Sequence, residues 1–209
     1  MELRRYALSG QGEKMFLKLD AKKKTFLKET FETIGTAVIL ALFIRSFIIQ
    51  PFKIPTGSME PTLMPGDRIL VLRYIYGLRI PFTFKRIAKF KSPQTGDIIV
   101  FNYPEETDRD FIKRCIGKPN DSIEIRNGEI YLNGRPLKDD PFNKIYYYNR
   151  GDFGKDNEIL KIPATSYFVL GDNSASSKDS RYWGYLDDKY LIGKAVLIYW
   201  PLNRIKILK

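Results

Sequence analysis

Hydrophobic and polar residues divide the chain at about residue 52. Ahead of that point lies one long apolar run, 34–49, which reads IGTAVILALFIRSFII and is broken only by Gly, Thr, Ser and Arg45. Flanks out to Phe31 and Phe52 bring it to the roughly 20 residues that a membrane crossing needs. The pattern predicts one N-terminal transmembrane helix over 31–51, with Arg45 near its end, where a long basic side chain reaches the headgroups. Two other readings compete. The uncharged stretch 33–44 alone fits a buried helix of a soluble protein. A cleaved signal peptide fits less well, because about thirty residues precede the run and no small-x-small site follows it. An uncleaved anchor is expected.

Beyond residue 52 the apolar runs shorten to strand length and are punctuated by turn residues. Segments 67–71 (DRILV) and 96–101 (GDIIVF) read as strands, the second entered through Gly-Asp. Segment 123–131 predicts a hairpin, because Asn127-Gly128 suits the positive φ angles of a type I′ turn. Asn133-Gly134 repeats that signal. Segments 167–170 and 195–199 add strands, and only 79–90 shows a weak helical period. Segment 141–156, rich in Asn, Tyr, Lys and Asp, reads as an exposed insertion. The fold class expected is mainly β, an irregular antiparallel domain behind one anchor helix.

Charge sets an orientation. Lys14, Lys18, Lys22, Lys23, Lys24 and Lys28 precede the span, whereas only Lys53 and Arg68 lie close behind it. The positive-inside rule then predicts a cytoplasmic basic segment over 1–30 and an exported domain over 52–209. The formal net charge of +11 calls for an anionic partner. A lysine-rich arm beside a membrane span assigns that role to lipid headgroups, and no nucleic acid is expected. The residues around 74–86 extend this reading. Tyr74, Tyr76, Ile80, Pro81, Phe82 and Phe84 are candidates for shallow lipid contact, with Arg79, Lys85 and Arg86 at the headgroups. The alternative is that they pack on the β core. Cys115, the one cysteine, permits no intrachain disulfide and reads as a small core residue; without histidine it cannot build a zinc site, so no metal or cofactor is expected.

The chemistry-bearing candidate is Ser58, in the Gly/Pro loop 54–63 (IPTGSMEPTL). A chain with no histidine excludes Ser-His-Asp and Cys-His arrangements, which leaves the Ser-Lys variant. Lys113, in 110–117 (DFIKRCIG), is the candidate base. It must be neutral to act, and burial is what disfavours an ammonium. In a strand, Phe111 and Cys115 share its face, while Arg114 points away with Ile112 and Ile116 and needs solvent or an acid.

Five blocks in order, from the span through the Ser58 loop, 96–101, 111–117 with Asp121, and Gly171-Asp172-Asn173 to Ser177, Asp179, Ser180 and Arg181, resemble bacterial type I signal peptidases. That resemblance implies a membrane-anchored Ser/Lys endopeptidase that cleaves signal peptides from exported preproteins after small-x-small sites. It implies Ser58 as nucleophile, Lys113 as base, an oxyanion hole from the Ser58 backbone N–H and the Thr56 hydroxyl, and Ser177 orienting the lysine. Asp179 and Arg181 would be a supporting ion pair. Phe52, Ile54, Pro55, Met59, Leu63, Phe111 and Ile112 would line the substrate pocket. It further implies a β insertion at roughly 122–165 and a place in the bacterial inner (cytoplasmic) membrane, catalytic domain outward. The chain departs from the family pattern at Ser174-Ala175-Ser176; Lys53 and Glu60 are expected to face water, and Asn120 replaces a common Gly. The alternatives are a dedicated Ser/Lys processing peptidase for one secreted partner and a non-enzymatic membrane-tethered binding module. Nothing in the sequence sets an oligomeric state.

Overall fold

A computed structural model describes residues 2–80 and 83–208, with side chains from residue 23 onward. The side chains of Lys14, Lys18 and Lys22, and all of Pro81 and Phe82, lie outside the described residues. Helix α1 spans Glu2–Phe47, and its Lys23–Phe47 portion is long and apolar enough to cross a membrane. None of that portion is buried: Phe31 is 79% exposed and Ile39 71%. The helix stops short of the expected 51. Ile49–Lys53 instead forms a strand, because Ile49 to Lys53 pair residue by residue with Leu72 to Arg68.

The second compact unit, Ser46–Lys209, is built of antiparallel strands, as expected. In chain order, β1 (Ile49–Lys53) and β2 (Arg68–Leu72) pair with each other. β3 (Leu78–Arg79) and β4 (Arg86–Ala88) form a separate ribbon in the segment with the weak helical period. β5 (Ile98–Tyr103) and the twelve-residue β6 (Glu106–Gly117) follow. β7 (Ser122–Arg126), β8 (Glu129–Leu132), β9 (Arg135–Pro136) and β10 (Leu160–Lys161) make a four-stranded sheet of their own, within the expected insertion. β11 (Ser166–Leu170), β12 (Leu186–Asp187), β13 (Leu191–Trp200) and β14 (Lys206–Ile207) return to the main sheet. Its order is β1-β2-β13-β5-β6-β11-β12, with β14 on β13. A short helix α2 (Ser180–Trp183) follows β11, capped by the Asp179 side chain.

Both Asn-Gly pairs turn hairpins, with Asn127 at φ 52° and Gly128 at 81°, then Asn133 at 52° and Gly134 at 76°. Strand alternation sends residues of β6 into different clusters. Cys115 packs with Ile99, Phe101 and Tyr167, Phe111 beside them, while Ile112 packs against Ile98, Val100 and Ile69. Cys115 is fully buried and free, a core residue as expected.

The segment expected to touch lipid divides. Tyr76 is 2% exposed, and its hydroxyl donates to Asp97 at 3.1 Å, so it is core. Arg86 pairs with Asp188 and donates to the Leu191 carbonyl, and Arg79 donates to Asn102 and the Thr83 carbonyl. Tyr74, Ile80 and Phe84 remain exposed.

Candidate active site

Ser58 sits in the loop between β1 and β2, and both ends of that loop are fastened. Ile54 N–H donates to the Asp67 carbonyl and Gly66 N–H to the Ile54 carbonyl, both at 2.8 Å. In between, Leu63 N–H donates to the Met59 carbonyl, one helical turn back. This turn sends Met59 and Leu63 into the core, both at 0% exposure, with Ile54 at 3%. These three, with half-buried Phe52 packed against the same cluster, anchor the loop. Buried to this extent, Ile54, Met59 and Leu63 do not wall an open pocket. The cleft beside Ser58, about 390 Å³, is lined by Pro55, Phe111 and Ile112 from the expected pocket set and by Thr56, expected as an oxyanion donor, with Asp110, Ser176 and Lys178 added. Sequence spacing could not separate wall from anchor, because the helical turn that decides it forms only when the loop is fastened.

Lys113 projects from β6, where it pairs with Ile99 of β5. Its Nζ lies 2.8 Å from Ser58 Oγ and also donates to the Ile112 carbonyl at 3.0 Å. The residue is 4% exposed, and the Phe111 ring lies 5.3 Å from Nζ. Burial lowers its pKa to about 8; the charges of Asp179 and Asp172 oppose that shift and Arg181 adds to it. Desolvation wins because each of those carboxylates already holds a guanidinium. Arg181 binds Asp179 through Nε and Nη2, both at 2.8 Å, and both side chains are wholly buried. Arg181 also donates to Tyr148 O, Ser174 Oγ and Ser174 O, and Asp179 accepts from Gly171 N–H.

Arg114 answers the question left by its place in β6. It finds an acid, not solvent: at 2% exposure it grips Asp172 through Nε at 2.8 Å and Nη2 at 2.6 Å. Leu170 of β11 pairs with Arg114, which puts Asp172 two residues beyond. Asp172 also accepts from the Thr62 hydroxyl at 2.5 Å, and Asn173 holds the Gly57 and Ser58 carbonyls through its side chain and its N–H. One tripeptide thus ties the serine loop to the lysine strand. Gly171 completes it, since a Cβ there would stand 2.4 Å from Ser58 O and 2.2 Å from Ser177 Oγ. Sequence reasoning left Arg114 to solvent or an unnamed acid and gave Asp172 no role of its own; the alternation of an arginine with apolar residues in a strand raised the question, and only the pairing of β6 with β11 names the acid.

Ser177 departs from its expected contact. Its hydroxyl is buried against Gly171, and among the described residues it has no hydrogen-bond partner. Lys113 instead spends its reach on Ser58 and Ile112 O, so no Ser177–Lys113 bond is formed. Lys53 is exposed as expected, but Glu60 is half-buried, its carboxylate against Gly57. The 141–156 insertion is not merely exposed: Tyr148, Arg150 and Phe153 bond along 174–181, Tyr148 N–H to Ser174 Oγ, Arg150 to the Ala175 carbonyl and Phe153 N–H to Arg181 O.

A family model described as signal peptidase, peptidase S26, matches residues 27–200. Signal peptidase I of Leptolyngbya laminosa is 38% identical, over 86% of this chain and 82% of its own. Signal peptidase I of Pseudomonas aeruginosa is 32% identical, over 86% of this chain and 75% of its own. A crystal structure of a signal peptidase I from Enterococcus faecalis covers 51% of this chain and 98% of its own, at 32% identity and a TM-score of 0.42. The family model and the two relatives put the chain among the serine peptidases. It belongs to the bacterial type I signal peptidase family, whose activity is the removal of signal peptides. A non-enzymatic binding module is thereby set aside.

The clamp makes a prediction. Asp172→Ala strands Arg114 as a buried unpaired cation and should cost about 3–5 kcal/mol. Thr62→Val removes only a hydroxyl donated to a carboxylate and should cost about 1.5–3 kcal/mol. Chemical denaturation of the full chain in detergent micelles measures both; equal, negligible losses would show that the clamp does not hold the site.

Proposed function

We propose that this chain is a Ser/Lys-dyad endopeptidase in which Ser58 is the nucleophile and Lys113 the general base. The observation that carries the reading is the 2.8 Å approach of a buried amine to Ser58 Oγ, in a chain without histidine. With its pKa near 8, Lys113 is substantially neutral in mildly alkaline solution. The neutral amine takes the Ser58 proton as Oγ attacks the scissile carbonyl carbon, and the resulting ammonium protonates the departing amine. Water, deprotonated by the same lysine, then attacks the acyl carbon, and the ammonium returns the proton to Ser58 Oγ as the acyl–Oγ bond breaks. The Ser58 N–H and the Thr56 hydroxyl, at the cleft wall, are the donors for the developing oxyanion. Ser177, buried with a free hydroxyl beside Gly171, is the residue we assign to take up the ammonium formed in that step. The Asp179–Arg181 pair supports the segment that carries it.

Turnover should rise with pH through about 8 and level off above it. Ser58→Ala, Lys113→Met and Lys113→Arg should each abolish cleavage, the last because arginine keeps its proton. Stability carries the matching sign. The folded pKa lies below the ordinary value of 10.5, so the unfolded chain binds this proton more tightly. The resulting penalty is absent above about pH 10.5, grows as pH falls towards 8, and is constant below that. Lys113→Met should therefore stabilise the fold at neutral pH by up to about 3 kcal/mol, a figure scaled from the shift, and not at all above about pH 10.5. Turnover in the Arg variant would place the base elsewhere.

We propose cleavage after small-x-small sequences. Phe111 and Ile112 wall the cleft, and Ile112 packs against the core so that it yields little. One extra methylene in such a slot costs about 1–3 kcal/mol. Preproteins with Leu or Phe directly before the cut should be processed at least about tenfold more slowly than Ala at equal concentration; comparable rates would sink this specificity.

The exposed apolar surface of α1, long enough to cross a bilayer, supports an anchoring role. We propose an N-terminus in the cytoplasm and a catalytic domain on the outer side of the bacterial inner membrane, with lipid as partner. Protease added outside intact spheroplasts should digest the catalytic domain and spare the segment before the span. Protection of the domain would reverse the orientation.

A further inference from the structure

Besides Lys113, the cleft beside Ser58 is lined by two charged side chains, Asp110 and Lys178. Their surroundings differ. Asp110 accepts a hydrogen bond from Asn102 at 2.9 Å, and the charges of Arg73 and Arg79 bear on it, so it is occupied by its own neighbours. Lys178 has no such enclosure. Its side chain is 57% exposed, its Nζ is 3.0 Å from Glu105 Oε2, and Glu105 is itself 55% exposed. A pair this open to water is weak, and another carboxylate can replace its acid.

The backbone that carries it is nevertheless held. The backbone around Lys178 is held by Asp179, whose pair with Arg181 is wholly buried. The ammonium lies 5.0 Å from the Tyr103 ring, and that ring stacks on Phe111 at 4.3 Å and 2°. The Tyr103 hydroxyl donates to Glu105 as well. The cation is thus moored to the aromatic wall of the cleft. Neither sequence pattern nor family membership assigns it a role.

We propose that Lys178 is a specificity-determining residue that receives a substrate carboxylate close to the scissile bond, in the place that Glu105 fills in the free enzyme. The inference rests on Ser58 and Lys113 being the catalytic pair, since that is what makes the cleft the substrate's. It names the favoured substrate class: preproteins carrying an acidic residue at one position flanking the cut. A lysine at that position meets a like charge and is disfavoured.

The test uses the full chain in detergent and matched peptides in which Ala, Asp or Lys occupies each flanking position in turn. Each kcat/KM is divided by that of the Ala peptide with the same enzyme preparation, so loss of folded protein cancels. At one position the Asp/Lys ratio should be about tenfold in favour of Asp and should shrink as salt is raised. K178E should invert it, and E105Q, which removes the competing carboxylate, should increase it severalfold. The same ratio in wild type and K178E at every position would overturn the proposal. Cleavage of the Ala peptide by S58A would instead overturn the catalytic reading, a separate result.

Discussion

A lysine held away from water, with every nearby acid already engaged, is the constraint around which this molecule is organised. Lys113 is nearly buried beside Ser58, and burial disfavours its charged form. Two carboxylates lie close enough to undo that by attracting the proton back. Each is instead bound bidentately by an arginine that is itself buried, Asp172 by Arg114 and Asp179 by Arg181. Such pairs are costly to bury and are weak contributors to stability in themselves. Their value here is that they leave Lys113 with no counterion among the described residues.

The same groups do mechanical service. Asp172 and Asn173 reach from the end of β11 to the serine loop, and Arg114 reaches back from the lysine strand. The two catalytic candidates are 55 residues apart in the chain, yet their separation is set by one short segment that touches both flanks. The loop is further stiffened by sinking Met59 and Leu63 into the core. That assignment removes them from the cleft and leaves Pro55, Phe111 and Ile112 among its walls. The insertion takes part too, through the run from Tyr148 to Phe153 that bonds along 174–181. Its contribution is to hold Arg181, and so Asp179, in place.

Much of the molecule is legible in the local patterns of the chain. The apolar run, the hairpins at Asn127-Gly128 and Asn133-Gly134, the strands of the main sheet and the nomination of Ser58 and Lys113 all rest on local signals. Local signals are enough where the cause is local: a helix needs a continuous apolar face, an I′ turn needs positive φ, and a chain lacking histidine has few bases to offer. The same locality explains the misses. Apolarity alone carries the span to 51, but pairing with β2 claims Ile49 onward. The weak helical period at 79–90 yields to a ribbon. Tyr76, which the pattern left between lipid contact and core packing, is buried and donates to Asp97.

What the sequence by itself determined is the inventory: an anchor-length helix, a β-built remainder, one serine in a rigid loop and one lysine on a mixed strand. What only the tertiary structure decided is which charges meet and which side chains are lost to water. Register places Leu170 opposite Arg114, and that single pairing delivers Asp172 to the arginine and Asn173 to the serine loop. Burial depends on what packs above a residue, and Arg114 and Asp172 are 58 residues apart in the chain; neither is written in the order of neighbours. The same packing buries Lys113 and leaves the Ser177 hydroxyl without a hydrogen-bond partner among the described residues.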